Sequence, residues 1–137
     1  PCEKLRINLS GNYTYQQALD VTNPDPASEE GRTYKHQIAY TPRVSGSGQV
    51  GIETSWVNLS YSFLFSGKRY TQGENITENR MESYSDHSIS VGRELTIRKI
   101  NTSIHIEVLN IANNNYEIIK NFPMPGRSVR ATFSIKY

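Results

Sequence analysis

Strict alternation of apolar and polar residues, sustained over segments of about ten residues, constrains this chain more than any other feature. From Lys4 to Gln16, Leu5, Ile7, Leu9, Gly11, Tyr13 and Tyr15 occupy one phase, while Lys4, Arg6, Asn8, Ser10, Asn12, Thr14 and Gln16 occupy the other. Successive side chains of a strand point to opposite faces, so such a segment divides an apolar medium from a polar one. A helix would mix the two sets round its circumference. Val44, Gly46, Gly48, Val50 and Ile52 repeat the pattern against Ser45, Ser47, Gln49 and Glu53. Val57, Leu59, Tyr61, Phe63 and Phe65 do so against Asn58, Ser60, Ser62 and Ser66. A fainter segment sets Ile89 and Val91 against Ser88 and Ser90. Ile100, Ile104, Ile106 and Val108 then face away from Asn101, Ser103, His105 and Glu107. Val129, Ala131, Phe133, Ile135 and Tyr137 close the chain against Arg130, Thr132, Ser134 and Lys136. Charged residues make up 20% of the chain yet are almost excluded from the apolar phase. The expectation is an all-β, antiparallel, up-and-down meander of about six strands.

The connections alternate in length. Tight turns are expected near Thr54–Trp56 and Glu94–Lys99, and long connections over Gln17–Arg43, Gly67–Ser83 and Ile111–Gly126. The long ones hold most of the Pro and Asn, including Asn23-Pro24-Asp25-Pro26 and Asn113-Asn114-Asn115. A transmembrane β-barrel sorts its loops this way, with short periplasmic turns and long extracellular loops. Segments of about 9–11 residues match a tilted strand crossing a bilayer. Tyr13, Tyr15, Trp56 and Tyr137 near the segment ends fit interfacial aromatic girdles.

Composition narrows the alternatives. A chain of 137 residues suits one domain. Apolar runs no longer than three residues (Ile38–Tyr40, Phe63–Phe65) exclude a spanning helix. A net charge of +2 gives no reason to expect nucleic acid. The lone Cys2 offers neither a disulfide framework nor a cysteine metal cluster. His36, His87 and His105 lack metal-ligand spacing. Ser85-Asp86-His87 cannot act as a triad, because strand neighbours point apart. Gly46 and Gly48 have no following helix to make a phosphate loop. The N-x-S/T triplets at Asn8, Asn12, Asn58, Asn75 and Asn101 follow from polar alternation and do not by themselves signal glycosylation. Neither catalysis nor a cofactor is expected.

The C-terminal third carries a family likeness. Ile106-Glu107-Val108-Leu109-Asn110-Ile111-Ala112-Asn113-Asn114-Asn115-Tyr116-Glu117 resembles the penultimate strand and loop of TonB-dependent outer-membrane receptors. Asn121-Phe122-Pro123-Met124-Pro125-Gly126-Arg127 is similar to the Tyr/Phe-Pro-x-Pro-Gly-Arg loop before their final strand, and Tyr137 to their terminal aromatic. Tyr40-Thr41-Pro42-Arg43 and Gly67-Lys68-Arg69-Tyr70 look like recurrent pieces of the same barrels. The likeness implies that residues 1–137 are the C-terminal segment of a plugged barrel of about 22 strands in the bacterial outer membrane. The plug, the TonB-contacting segment and the remaining strands would then lie outside this chain.

That resemblance also implies roles. The parent would take up an iron–siderophore or cobalamin-like nutrient. Val129, Ala131, Phe133, Ile135 and Tyr137 would form the signal read by the barrel-assembly machinery. Lys4, Arg6, Arg130 and Lys136 would face the lumen and could pair with plug carboxylates. Arg69, Tyr70, Arg80 and Tyr84 flank the second long loop and are the candidates for touching ligand. Outer-membrane lipid and the rest of the barrel and plug would be the partners, with TonB engaged only through the missing N-terminal part. The competing readings are a soluble β-sandwich or lipocalin-like binding module, with the apolar faces packed as a core, and a small pore of several copies.

Overall fold

A computed structural model describes residues 5–22, 25, 27–28, 30–97 and 100–136. In chain order the strands are β1 (Arg6–Tyr15), β2 (Val44–Glu53), β3 (Asn58–Ser66), β4 (Arg69–Tyr70), β5 (Arg80–Met81), β6 (Tyr84–Ile97), β7 (Ile100–Leu109), β8 (Glu117–Ile119), β9 (Phe122–Pro123) and β10 (Ser128–Lys136). Six of them form one antiparallel sheet in the order β1-β2-β3-β6-β7-β10. Each joins the next in sequence among the long strands, which makes an up-and-down meander. The sheet is open, with β1 and β10 at its edges, and β4–β5 and β8–β9 are small ribbons within the long connections.

All six expected segments are strands. The faintest in pattern, β6, is the longest at 14 residues. Its alternation was weak because His87 and Arg93 fall in the apolar phase. The β2–β3 turn closes where the Thr54 N–H and hydroxyl both donate to the Val57 carbonyl (2.9 and 2.8 Å). The β6–β7 connection is tighter than expected, since pairing persists to Ile97↔Ile100. Strand pairing outlasts the polar residues Glu94 and Thr96 because both belong to the polar phase and leave the ladder intact.

The strand ends shift in one direction across the sheet. One in-register row runs Arg6, Glu53, Asn58, Gly92, His105 and Thr132. There β1 begins, whereas β10 continues four residues further, to Lys136. At the other end Thr14, Ser45, Ser66 and Tyr84 share a row, yet β7 joins β6 only from Ile89↔Val108, five residues along. Averaged over the five spacings, the shift is about one residue (~3.4 Å) per ~4.8 Å, which inclines the strands by roughly 30–35° to the normal of the line through their ends. Barrel walls have strands tilted by about 35–45°.

The sheet has no core of its own. Met81 is the only buried apolar residue among those described, and Leu9, Phe63 and Phe133 remain 80%, 41% and 62% exposed. No second layer of described residues covers the apolar face. Within that face, cross-strand fit is still specific. A Cβ on Gly48 would lie 2.5 Å from Cε1 of Phe63, so Gly48 is the bed on which that ring rests. Gly51, three rows on and on the other face, has room, with its nearest neighbour 3.7 Å away. Gly48→Ala is therefore expected to lower the stability of the sheet to urea by about 1–3 kcal/mol. Gly51→Ala should change it little.

Candidate functional site

The sheet alone sorts chemistry to its two sides. Ile7, Ile52, Leu59 and Val91 are successive cross-strand partners on one face, as are Val91, Ile106 and Ala131. The other face carries a polar ladder. Glu53 accepts from Arg6 Nη1 (3.3 Å) and Asn8 Nδ2 (3.0 Å). Asn12 donates to Ser47 Oγ (2.8 Å), and the hydroxyls of Ser60 and Ser90 meet at 3.0 Å. Arg130 donates to Glu107 through Nε (2.6 Å) and Nη2 (2.5 Å). The ion pairs among them are screened by solvent and add little stability, and the value of the ladder is to hold the register of a face that packing does not hold.

Of the basic residues expected to line a lumen, Arg6 and Arg130 do lie on the polar face, and both already pair with carboxylates of the neighbouring strand. Lys136 lies on that face opposite Asn101. Lys4 falls outside the described residues, as does Tyr137 of the terminal signal. Val129, Ala131, Phe133 and Ile135 share the apolar phase of the edge strand β10.

The three long connections gather at one end of the sheet and bind one another through polar groups. Asn75 acts as a strand in miniature: its Oδ1 accepts from the Gln37 N–H (2.5 Å) and its Nδ2 donates to the Gln37 carbonyl (3.0 Å). The Tyr40 N–H donates to the Tyr70 carbonyl (2.7 Å). Together these fasten the first connection to the second. Lys120 Nζ donates to the Glu78 carbonyl (3.0 Å), fastening the third to the second.

Arg69 is the hub. It is 3% exposed, and its guanidinium donates to the carbonyls of Glu117, Ile118 (3.2 Å) and Glu82 (3.4 Å). Its Cζ sits 5.1 Å from the centre of the Tyr84 ring. Tyr84 stacks on Tyr116 at 4.4 Å and 6°, and the Tyr116 hydroxyl donates to Asp86 Oδ2 (2.5 Å) on the polar face of β6. Burial, then the Asp86 carboxylate, push the Tyr116 phenol above the ordinary tyrosine range. A carboxylate can accept that bond only while the phenol stays protonated, so the two requirements agree.

The β4–β5 ribbon thus brings the four candidate ligand residues together. Tyr70 pairs with Arg80, Arg69 with Met81, and Tyr84 lies under Arg69. The guanidinium of Arg69 is committed to loop carbonyls, which makes it a clamp and removes it as a ligand contact. Arg80 pairs with Glu82 (2.8 Å) and lines an open cleft of about 400 Å³ with Tyr84, Tyr116, Glu117 and Lys120. The cleft offers ring faces and charges of both signs.

Sequence reasoning missed Tyr116, Asp86, Asn75 and Asn110. The last is 2% exposed, adopts φ 49°, and binds Asn114 through both atoms of its amide (2.9 Å each). Asn is among the few residues that tolerate that backbone, so the Asn-rich loop was a signal. The Tyr116–Asp86 contact had none, since the two residues are 30 apart in sequence. Of Ser85-Asp86-His87, Asp86 points to the polar face and serves Tyr116, while on the opposite face His87 meets the Tyr61 hydroxyl through Nδ1 (2.7 Å) and the Ser85 hydroxyl through Nε2 (3.3 Å). No group of three or more His, Cys, Asp or Glu side chains converges on a metal position among the described residues.

In the first connection, Asp20 accepts from the Thr22 hydroxyl (2.6 Å), the Thr33 hydroxyl (2.5 Å) and the Thr22 N–H (2.9 Å). These bonds hold its pKa down to about 2. Because the folded value lies below the unfolded one of ~3.9, the stabilisation is complete above pH ~4 and is lost as pH falls through 2. Hydrogen exchange of the Asp20–Lys35 segment should accelerate over that window, and Asp20→Asn should flatten the dependence. Arg69→Lys, which cannot span three carbonyls, should make residues 110–127 several-fold more sensitive to limited proteolysis. Tyr116→Phe should act in the same direction, by about 1–3 kcal/mol.

No protein-family model and no curated protein matches this chain.

Proposed function

We propose that this chain is a wall segment of a TonB-dependent outer-membrane receptor. The observation that carries the reading is the uncovered apolar face: large hydrophobic residues on all six long strands stay exposed, on a sheet whose opposite face is polar. Water is a poor solvent for such a face, and lipid a good one. The strand inclination and the sorting of loops by length support the same reading.

In this reading, lipid solvates Ile7, Leu9, Leu59, Val91, Ile106 and Phe133, and the polar ladder lines the lumen. The clasped loops stand on the outer surface, where the cleft beside Tyr84 and Tyr116 meets the incoming nutrient complex, an iron–siderophore or a cobalamin. Strands outside this chain continue the open edges of β1 and β10, and an inner plug couples to TonB. A soluble sandwich would need a second layer over Leu9, Phe63 and Phe133, and the described residues supply none. A pore of several copies would close the same edges with identical chains and give a fixed stoichiometry in detergent.

Two experiments test the proposal. Deleting the whole coding frame should abolish energised uptake of one iron–siderophore or cobalamin, as should deleting TonB; uptake that persists in both strains refutes it. In the same frame, Phe133→Lys places a charge in hydrocarbon at a cost of about 2–4 kcal/mol near the midplane, and should block assembly into the outer membrane. Thr132→Lys, facing the lumen, should assemble normally. Equal amounts of both in the outer-membrane fraction would overturn the facing assignment.

A further inference from the structure

We infer that Arg93 binds the headgroup phosphate of an anionic glycerophospholipid at the membrane boundary nearest the short turns. The inference rests on the outer-membrane reading, which puts the apolar face in lipid. Arg93 is exposed and belongs to the apolar phase of β6, between Val91 and Leu95. Its cross-strand partner is Ile104, which is itself opposite Phe133. It is the one residue of formal charge in the apolar phase of the six strands among those described.

Among the described residues this guanidinium has no counter-ion. The Arg93 side chain makes no hydrogen bond or ion pair with described residues, although the strand arginines of the other face, Arg6 and Arg130, are each matched to a glutamate. Glu94 follows directly in sequence but points to the opposite side. An unpaired Arg on a lipid-facing strand is disfavoured at the bilayer centre and tolerated near the headgroups.

Depth agrees with that demand. A tilted strand crosses the hydrocarbon in about 9–11 residues, and β6 has 14. Counted from Tyr84, Arg93 is the tenth of the 14, four residues short of the strand's end at Ile97, which on the outer-membrane reading sets it at the boundary nearest the short turns. The same level holds the β2–β3 turn, because Gly92 pairs with Asn58. That turn presents Trp56, 57% exposed, and an indole is at home in the interface. Beyond Arg93 the β6–β7 hairpin continues with the polar pair Thr96–Asn101 (2.8 Å). Acyl chains would cover the row Val91, Ile106 and Ala131 just above Arg93, while the guanidinium takes two phosphate oxygens in its planar fork. The apolar flank selects a lipid over a soluble anion.

The test uses the protein encoded by the whole coding frame, in vesicles of equimolar phosphatidylcholine and phosphatidylglycerol, with retained lipid read by native mass spectrometry after mild detergent extraction. Wild type should retain phosphatidylglycerol about fivefold over phosphatidylcholine, the preference one basic residue gives near a membrane surface. Arg93→Gln should reduce the ratio to about one, Arg93→Lys should keep part of it, and Arg130→Gln should leave it unchanged. Phe133→Cys in a Cys2→Ser background, probed with a water-soluble maleimide in the same vesicles, reports the facing separately. If residue 133 is shielded and Arg93→Gln keeps the wild-type ratio, the phosphate site is wrong while the facing assignment stands. If residue 133 reacts freely, the facing assignment fails and the site with it.

Discussion

A six-stranded antiparallel sheet satisfies its backbone internally except along two edges, and it can hide neither of its faces. Everything else in this molecule follows from that constraint. One face meets the constraint with hydroxyls, amides and paired charges that water or a polar partner can solvate. The other presents Leu, Ile, Val, Phe and Tyr, which only an apolar medium solvates well. Stability of such a sheet comes from strand pairing and from its surroundings, and almost none of the described side chains is buried.

The loop end is held by different means. Because no hydrophobic core reaches it, its order comes from polar atoms satisfied one by one: Asn75 against the Gln37 backbone, Asn110 against Asn114, Arg69 against three carbonyls. Such contacts are directional, and an unmade partner is costly once buried. A buried arginine in a loop layer is therefore informative. It marks the point where two connections must meet, and here it joins the second to the third while resting on Tyr84.

How much of this was legible depended on the range of the interaction. The six strands could be read from residues two apart, since the pleat itself imposes that period. β6 shows the limit: His87 and Arg93 interrupt its apolar phase, and the longest strand looked like the weakest. His87 is tolerated there because Tyr61 opposite its neighbour supplies a hydroxyl and Phe63 a ring. The candidate ligand residues were found as a group because they flank one loop, but their roles were not separable. Arg69 and Arg80 look alike in sequence, and only the position of Glu117 and Ile118 makes the first a clamp and leaves the second on the cleft.

The amino-acid order by itself determined the all-β character, the two opposed faces and the alternation of short and long connections, because each is written in neighbours along one strand or in turn-forming residues. Tertiary structure alone decided the net shift of the strand ends across the sheet, the tighter β6–β7 turn and the union of Arg69, Tyr84, Tyr116 and Asp86. Those depend on register and on contacts between residues tens of positions apart, where closing a loop lets many pairings compete and geometry selects among them.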